Sequence, residues 1–445
     1  MMSFLHHKKL AFWVISLSLA LAMLEASAYL VIQLSDSFLR DSIRRRAAIY
    51  AEQTSRVVAM LNSPVAEREM LDRELGWLYR PGFHSATDHL NAAGLRSLRE
   101  YSPGVPTGHL RLAAFGDSFV YGNEVPDSST WPAQIERMDS AVEVLNYGVG
   151  GYGLDQAFLR YLREGEKYHP QLVVIGFVPD DLPRLVNVYR RFISSHELPL
   201  IKPRFVLGSG GALQLRAEHV PGPEGYRAYV EQPSRVRDLG KLDYWYEPLI
   251  YENPLYDWSA TVRVFSNAWA KLRRRAWDPN RLVADDQYNV ESEAFRIQVS
   301  LMETFAKAVS ERGARPLVVF FPDKPSAIRS LAGKATVYAP LVRILQSKGI
   351  STLDLAPEFA KETAEKRPDD WFMPGGHFSD AGNRVAARAI LRTVRQWNIA
   401  AGFSSSDAIR QTQVHAAGSP RCVPTPGRPT DAGDVPVCPP HATPG

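Results

Sequence analysis

Two short motifs, far apart in the chain, carry a hydroxyl and an imidazole that together could act as nucleophile and base. The sequence "FGDSFVYG" (115–122) places Ser118 directly after an apolar run that predicts a β-strand. The sequence "GGHFSDAGN" (375–383) places His377 in a glycine-rich loop before a predicted C-terminal helix. A serine hydroxyl becomes a nucleophile when a neighbouring imidazole takes its proton. We therefore predict serine-based acyl chemistry, against the alternatives that Ser118 caps a helix and His377 is a surface residue.

A glycine-rich stretch follows the second apolar run of the chain. In "NYGVGGYG" (146–153), Gly148, Gly150 and Gly153 match G-x-G-x-x-G, a spacing that can cradle the pyrophosphate of a dinucleotide. In dinucleotide-binding folds this motif follows the first strand, whereas here it follows the second. We therefore favour another function over a nucleotide site. Glycines let the backbone approach a substrate closely and present an N–H group to an oxyanion.

The motifs lie in a region where strand-like apolar runs alternate with helical patterns. The predicted strands are 110–115, 141–146, 171–178, 315–321 and 350–355. The predicted helices are roughly 130–138, 154–167, 292–312, 337–348 and 380–397. Continuous apolar strands between helices indicate a parallel sheet covered on both faces. We predict an α/β fold, a flavodoxin-like three-layer α/β/α sandwich with about five parallel strands, whose carboxyl edge carries Ser118 and His377.

Composition divides the 445 residues into segments of different character. We predict a basic N-terminal segment (1–9), an apolar segment (10–34), a membrane-proximal helical linker (35–78, with the helix over 40–75), a catalytic domain (79–398) and a disordered tail rich in Pro, Gly and Ser (399–445). The two cysteines, Cys422 and Cys438, lie in this tail, where an oxidising compartment would allow a disulfide.

An insertion at about 185–290 interrupts the strand–helix alternation of the domain. It contains "FVLGSGGALQL", a pattern that predicts a hairpin, and then a stretch rich in tyrosine and tryptophan between 244 and 277. Packing within the insertion is the favoured explanation of these aromatic residues. Stacking on sugars is the alternative.

The apolar segment 10–34 supports two interpretations. As a signal peptide it would be cleaved after Ala28, and as an anchor it would span a bilayer with Glu25 inside the span. We favour the anchor, because the apolar character continues past Ala28. Both interpretations export the domain, so we predict a single-pass protein of the cytoplasmic membrane whose catalytic domain faces the periplasm or the cell exterior. The flank "RDSIRRR" (40–46) favours the opposite orientation under the positive-inside rule.

Further blocks extend the pattern around Ser118 and His377. In chain order the blocks are "LNAAGLRS", "GDSFVYGNEV", "VEVLNYGVGGYGLDQ", "PQLVVIGFVPDDL" and "GGHFSDAGNRVAA". Over about residues 75–398 the sequence thereby resembles the SGNH hydrolases, the family of GDSL esterases and lipases, and in particular their membrane-anchored bacterial members. The resemblance implies that Ser118 is the nucleophile and His377 the general base. It also implies that backbone N–H groups of Ser118 and Gly151 belong to an oxyanion hole.

Two positions depart from the pattern of that family. Its third block usually has Asn before Asp, and the Asn amide donates to the oxyanion, whereas this chain has Asp180–Asp181. An ionised carboxylate cannot donate a hydrogen bond, so Asp180 either is held protonated by apolar surroundings or has another role. The family also places an Asp two or three residues before the His, where this chain has Gly375 and Pro374.

Asp369 is the candidate that remains for an acid beside His377. It lies with Asp370 in "PDDWF", too far along the chain to be equivalent by position. A solvated loop residue is the favoured alternative for Asp369. A backbone carbonyl would then orient His377, and the site would be a Ser–His dyad.

These features together predict a serine esterase or acyl hydrolase. Its substrate would be an acylated small molecule or, as the resemblance implies, an envelope polysaccharide, and its N-terminal segment would contact the membrane. A non-catalytic SGNH-like protein that binds a glycan or assists its assembly is one alternative, and an O-acyltransferase is another. A net charge of +4 without a basic patch, and the lack of a Cys/His cluster in the sequence, predict no nucleic acid, no metal and no organic cofactor.

Overall fold

The computed structural model describes residues 2–35, 52–62, 68–194, 197–362 and 367–401. The tail from 402 onward, with Cys422 and Cys438, lies outside the described residues, as does much of the predicted linker. The disorder of the tail and the disulfide therefore stay predictions.

Helices and strands alternate through most of the chain. The α-helices are α1 Met2–Leu34, α2 Glu52–Asn62, α3 Ser118–Tyr121, α4 Trp131–Met138, α5 Leu154–Glu164, α6 Asp181–Leu185, α7 Pro223–Glu231, α8 Pro248–Tyr251, α9 Ala260–Leu272, α10 Glu293–Glu311, α11 Lys324–Leu331, α12 Ala339–Ser347, α13 Ala356–Lys361, α14 Pro368–Trp371 and α15 Asp380–Ala401. The strands are β1 Glu69–Asp72, β2 Gly76–Tyr79, β3 Leu110–Phe115, β4 Val142–Asn146, β5 Leu172–Phe177, β6 Arg204–Leu207, β7 Leu213–Arg216, β8 Val283–Ala284, β9 Gln287–Tyr288, β10 Arg315–Phe320 and β11 Thr352–Asp354.

The central sheet has five parallel strands in the order β11-β10-β5-β3-β4. The predicted α/β fold and its five strands are confirmed. The chain leaves β3 toward β4 on one side and returns to β5 on the other side of β3. Loops diverge at such a switch point and leave a crevice outside the carboxyl end of the strand. Ser118 follows β3 at that end.

Two apolar cores, one on each face of the sheet, make the sandwich three-layered. Alternate residues of β3 enter the two cores, with Ala113 and Phe115 on one face and Leu112 and Ala114 on the other. Helices α5, α10 and α12 cover the first face, and α4, α11, α13 and α15 cover the second. The strands are mainly apolar because both faces of the sheet are buried.

The insertion forms a third core beside the sheet. Its predicted hairpin is present as the antiparallel pair β6–β7. Tyr246, Tyr251 and Tyr256 are buried there, which agrees with packing as the main function of these aromatics. Trp258, Trp269 and Trp277, in contrast, keep much of their surface exposed.

The predicted helix over 40–75 is wrong in its last part. Helix α2 ends at Asn62, and β1 and β2 pair as a hairpin from Glu69↔Tyr79 to Asp72↔Gly76. Gly76 has φ +83, and a Cβ there would overlap the carbonyl oxygen of Ile201. The hairpin depends on Trp77 and Tyr79, whose rings are buried against the loop after β4, a tertiary contact that local periodicity does not report.

Candidate active site

Ser118 lies in a sharp turn between β3 and the short helix α3. Asp117 is the N-cap of that helix, since its side chain accepts the backbone N–H of Phe119 at 2.8 Å. Gly122 closes the helix in the left-handed region, with φ 85, and its N–H donates to the Ser118 carbonyl. Ser118 is therefore not the cap, and the helix-cap alternative for its hydroxyl falls. The residue is only 4% exposed and lies at the carboxyl end of β3.

His377 is held by a carboxylate that the sequence analysis did not name. The Nδ1 atom of His377 lies 2.6 Å from Oε2 of Glu124, the sixth residue after Ser118. The Glu124 carboxylate also accepts the backbone N–H groups of Gly375, at 2.8 Å, and of His377, at 3.2 Å. Burial by itself would raise the pKa of Glu124, but the hydrogen bonds from His377 and Gly375 outweigh it and lower this pKa.

The ionised Glu124 carboxylate fixes the tautomer of His377. A carboxylate only accepts hydrogen bonds, so the proton of the shared bond belongs to Nδ1 of the imidazole. The other ring nitrogen, Nε2, is then left with its lone pair free to accept a proton. This is the tautomer that a general base needs.

Gly375 makes room for the Glu124 carboxylate. A Cβ at position 375 would lie 2.6 Å from the carboxyl carbon and from both carboxyl oxygens of Glu124. The position that usually carries an Asp in the resembled family is thus occupied by a glycine and by the carboxylate of a residue from another loop. Glu124 itself has φ 68, a left-handed conformation that is uncommon for a residue with a side chain.

Asp369 is not the partner of His377. Its carboxylate is exposed and forms an ion pair with Lys324 at the start of α11. That ion pair lowers the pKa of Asp369. The prediction of Asp369 as the acid is corrected, because Glu124 is the carboxylate that contacts the imidazole. The alternative of a solvated loop residue describes Asp369 better.

Ser118 and His377 come to the same end of the sheet without a direct hydrogen bond between them. The Ser118 hydroxyl donates to Oδ2 of Asp117 at 3.3 Å. The ring of Phe119, the residue after Ser118, lies 5.4 Å from the His377 ring between centroids. Hydrogen bonds between nucleophile and base are often long or absent without substrate and tighten when substrate binds.

The glycine stretch after β4 packs directly onto the turn that holds Ser118. A Cβ at Gly148 would overlap the backbone of Val120 and Tyr121. Gly150 is fixed through its N–H, which donates to the Tyr79 hydroxyl at 2.8 Å, and through its carbonyl, which accepts the Trp77 indole N–H. Gly148 therefore serves close packing of backbone on backbone, and Gly150 makes room for the Tyr79 hydroxyl.

Gly151 follows in the left-handed region, with φ +77. In the part of the chain that the structure describes, neither its N–H nor that of Ser118 has a hydrogen-bond acceptor. Two such donors at the carboxyl edge of the sheet are what an oxyanion would require.

Asp180 does not meet the condition for a protonated donor. Its side chain is 74% exposed and lies 3.6 Å from the Arg184 guanidinium, so the apolar surroundings that this hypothesis requires are missing. The neighbouring Asp181 is the buried member of the pair. Burial, and next the Asp117 carboxylate, raise the pKa of Asp181 well above its ordinary value.

Arg184 connects these carboxylates to Ser118. Its Nη1 donates to Oδ2 of Asp117 at 2.8 Å, the same oxygen that accepts the Ser118 hydroxyl. The same nitrogen donates to the Tyr152 carbonyl at 3.0 Å and lies 3.5 Å from Asp181. The buried Arg184 guanidinium is thus linked to the Ser118 hydroxyl through the Asp117 carboxylate.

Sequence reasoning missed Glu124 and Arg184. One signal was available for Glu124: an acid within the Ser118 block, in a chain whose usual acid position is Gly375. It could not be used without the fold, because Glu124 and Gly375 are 251 residues apart. Nothing in the sequence pointed to Arg184.

Comparison with known proteins gives structural likenesses at low identity. No family model and no curated protein matches the chain. A member of the lipolytic protein G-D-S-L family from Veillonella parvula is 12% identical, covering 64% of this chain and 97% of its own, with a TM-score of 0.30. A lipase/acylhydrolase from Enterococcus faecalis is 13% identical, covering 64% and 96%, with a TM-score of 0.30.

An acetyl xylan esterase is also 13% identical, covering 64% of this chain and all of its own, with a TM-score of 0.31. These three solved structures are thus a G-D-S-L lipolytic protein, a lipase/acylhydrolase and an esterase.

Proposed function

We propose that this protein is a serine esterase in which Ser118 is the nucleophile, His377 the general base and Glu124 the acid that orients the base. The observation that carries the proposal is the contact of Glu124 with Nδ1 of His377. It fixes the imidazole in the tautomer that accepts a proton, in a loop next to a buried serine at the carboxyl edge of the sheet. In this proposal Glu124 takes the role for which the sequence left two candidates, Asp369 and a backbone carbonyl.

The proposed reaction forms and breaks an acyl-enzyme. His377 Nε2 takes the Ser118 proton while the hydroxyl oxygen attacks the ester carbonyl carbon. The tetrahedral oxyanion accepts hydrogen bonds from the N–H groups of Ser118 and Gly151. When the intermediate collapses, the imidazolium returns its proton to the leaving alcohol. Glu124 stays ionised throughout and stabilises the imidazolium.

Deacylation repeats the same steps with a second nucleophile. Water gives hydrolysis, and a hydroxyl of another molecule gives acyl transfer. The substrate class that we propose is an ester-linked acyl group on a small molecule or on an envelope polysaccharide. This substrate class derives from the sequence resemblance, and the domain would face the cell exterior or periplasm as predicted for an anchored protein.

The test is covalent labelling of the purified full-length chain in detergent with a fluorophosphonate probe. Wild type and Ser102→Ala, which removes an exposed serine in the loop before β3, are expected to label equally. Ser118→Ala is expected to abolish labelling, and His377→Ala to slow it strongly. Equal labelling of wild type and Ser118→Ala would remove Ser118 from the mechanism.

One observation favours the non-catalytic alternative, a glycan-binding or assembly protein. The family's Asn donor is replaced by Asp180, which carries an exposed carboxylate. Removing one oxyanion donor elsewhere lowers the rate by about 10²–10³. A folded wild-type protein that neither labels nor hydrolyses aryl esters, yet binds acylated or unacylated glycan, would favour this alternative.

A further inference from the structure

We propose that helix α9 and the tryptophans flanking it lie in the interface of a lipid bilayer, beside α1. Helix α1 contains an apolar stretch, Lys9–Leu34, that is long enough to cross a membrane. The proposal rests on α1 being retained as a membrane anchor and adds a second membrane-contacting element. It concerns the insertion of the domain, not the catalytic residues.

Glu25, the one acidic residue of the apolar segment, joins α1 to α9. Its carboxylate accepts hydrogen bonds from the Ser259 hydroxyl, at 2.7 Å, and from the backbone N–H groups of Ala260 and Thr261, at the first turn of α9. A carboxylate at a helix N-terminus satisfies donors that the helix leaves free. The Glu25 carboxylate, which would be unfavourable in an isolated membrane helix, thus has hydrogen-bond donors from α9 and Ser259.

Apolar packing continues this contact along both helices. Ala28 and Ile32, one and two turns beyond Glu25, pack against Ala260, with Val264 beside them. The two helices therefore run side by side in the same direction. Since about 20 residues at 1.5 Å each span a bilayer core, residues 10–29 suffice for the span. Glu25 lies four residues, about 6 Å, inside the domain-side end of this span, so the start of α9 meets the edge of the bilayer core close to the headgroups.

The outward side of this segment is apolar and aromatic. Trp258 is 86% exposed, Phe265 61% and Trp277 60%, and Trp269 and Leu272 are also partly exposed. The rings form a continuous strip, because Phe265 stacks on Trp269 at 6.3 Å and Trp269 lies 5.5 Å from Trp277. Contiguous apolar surface of this kind marks a binding face.

A lipid surface fits this strip better than a protein partner for two reasons. The strip belongs to a helix that packs against α1 at Ala28 and Ile32, and the neighbouring residues Leu30, Val31 and Leu34 of α1 are apolar and exposed. Tryptophan is also the residue that is enriched at the boundary between hydrocarbon and water. A membrane that surrounds α1 at this level would necessarily meet α9.

The charges near α9 agree with an interfacial position. Lys271, Arg273, Arg274 and Arg275 follow the apolar face in the sequence, as basic residues do in helices that lie on anionic membranes. Arg273 also pairs with Glu247 of the insertion at 3.1 Å. Arg274 likewise contacts the insertion, donating to the Trp245 carbonyl at 3.2 Å. The side chain of Arg275 is exposed and can extend toward the headgroups.

The test measures the depth of single spin labels in the full-length chain. Cys422 and Cys438 are replaced by serine, and the protein is reconstituted into vesicles of phosphatidylcholine and phosphatidylglycerol (about 3:1). Labels are placed at Phe265→Cys on the proposed lipid face, at Leu19→Cys in α1, and at Ile328→Cys, an exposed apolar position on α11 of the catalytic domain. Collision rates with oxygen, which prefers lipid, and with a water-soluble nickel complex are compared.

We expect the ratio of oxygen to nickel collisions at position 265 to exceed that at 328 several-fold and to approach that at 19. A ratio at 265 equal to that at 328, with a lipid-like ratio at 19, would overturn the proposal and leave the anchor intact. Water-like ratios at both 19 and 265 would overturn the anchor as well. Low rates with both reagents at 265 would show a protein-covered face and would also overturn the proposal.

A second measurement requires no label. Brominated acyl chains quench tryptophan fluorescence at short range. Vesicles of such lipids should quench the wild type more than the variant with Trp258→Phe, Trp269→Phe and Trp277→Phe together. Equal fractional quenching of the two proteins would contradict the proposal even if a cysteine variant misfolds.

Discussion

The Glu124 carboxylate accepts hydrogen bonds from the side chain and backbone of His377 and from the backbone of Gly375. A single residue therefore positions the whole loop that carries the proposed base. The same residue lies six positions after Ser118, so the proposed nucleophile and acid belong to one segment of the chain after β3. Glu124 therefore contributes both to the proposed proton transfer and to the conformation of the loop that carries His377.

Glu124→Gln should lower the rate of ester hydrolysis by about 10²–10⁴, because the amide no longer fixes the imidazole tautomer or stabilises the imidazolium. The fall should appear mainly in kcat, with KM nearly unchanged. Asp369→Asn is the matched control, since it neutralises an exposed aspartate that pairs with Lys324. Equal loss in both variants, or none in Glu124→Gln, would exclude Glu124 as the acid.

The lowered pKa of Glu124 also predicts how stability depends on pH. A carboxyl group whose pKa is lower in the folded state stabilises the fold above its ordinary pKa of 4.5. This contribution disappears as the pH falls below that value toward the folded-state pKa. The wild type should therefore lose free energy of unfolding relative to Glu124→Gln between pH 6 and about pH 3. Urea unfolding at several pH values measures this, and a constant difference would contradict the lowered pKa.

Gly375→Ala should reduce activity, because a methyl group there would displace the Glu124 carboxylate. In a Glu124→Ala background the three atoms nearest to that methyl group are absent, so Gly375→Ala should then have little further effect. The double-mutant cycle measures this coupling directly. Additive effects of the two substitutions would indicate that Gly375 does not act through Glu124.

Gly375→Asp in the Glu124→Ala background extends this test. The aspartate restores an acid two residues before His377, at the position usual in the resembled family. Partial recovery of activity is expected from Glu124→Ala/Gly375→Asp and not from Glu124→Ala/Gly375→Ala. No recovery would show that the loop is adapted to an acid from Glu124 only.

Asp180→Asn should raise the rate of hydrolysis at every pH, by between a few-fold and about 10², because it places at this position the amide that donates to the oxyanion in the resembled family. A protonated Asp180 donor would predict that the variant gains activity only on the alkaline side of the pH–rate profile. We do not expect this result, because the Asp180 side chain is exposed. The pH–rate profiles of both proteins on an aryl ester decide it. A uniformly lower rate in the variant would mean that the Asp180 charge serves the substrate or Arg184.

At the scale of elements, the loop after β4 and the turn after β3 are packed backbone to backbone. Gly148→Ala should therefore destabilise the fold by about 1–3 kcal/mol and reduce activity, since the overlap with Val120 and Tyr121 involves main-chain atoms that cannot rotate away. Gly104→Ala, where a Cβ meets nothing within 4 Å, is the control. Thermal unfolding of the three proteins checks this, and equal melting temperatures would contradict the packing argument.

At the scale of the whole molecule, the contacts between α1 and α9 bear on the fate of the N-terminus. Cleavage after Ala28 would separate Glu25 from the first turn of α9. We expect intact mass measurement of the membrane-extracted protein to give a chain that retains Glu25. A mature N-terminus at Tyr29 would show that the apolar segment is a signal peptide and would also remove the basis for the interfacial α9.

The orientation of the domain needs a separate measurement. An alkaline phosphatase fusion after residue 110 should be active if the domain is exported. An inactive phosphatase fusion, together with a bright fusion to green fluorescent protein at the same point, would show that the arginine cluster at 40–46 keeps the domain in the cytoplasm.

The sequence by itself determined the sheet and the ends of its strands. Five mainly apolar runs predicted β3, β4, β5, β10 and β11, because strands buried on both faces are rich in apolar residues. Parallel strands bring their carboxyl ends to one edge, so the pattern also placed Ser118 and His377 on the same side of the molecule.

Only the tertiary structure decided which residues contact one another, both at that edge and between α1 and α9. The contact of Glu124 with Gly375 joins residues 251 positions apart, and the contact of Glu25 with Ser259 joins residues 234 apart. Hydrophobic periodicity reports the face that a residue presents, not the partner that it meets. Glu124 can reach His377 only because Gly375 has no side chain in its way. Glu25 can cap α9 only because folding brings the start of that helix beside α1.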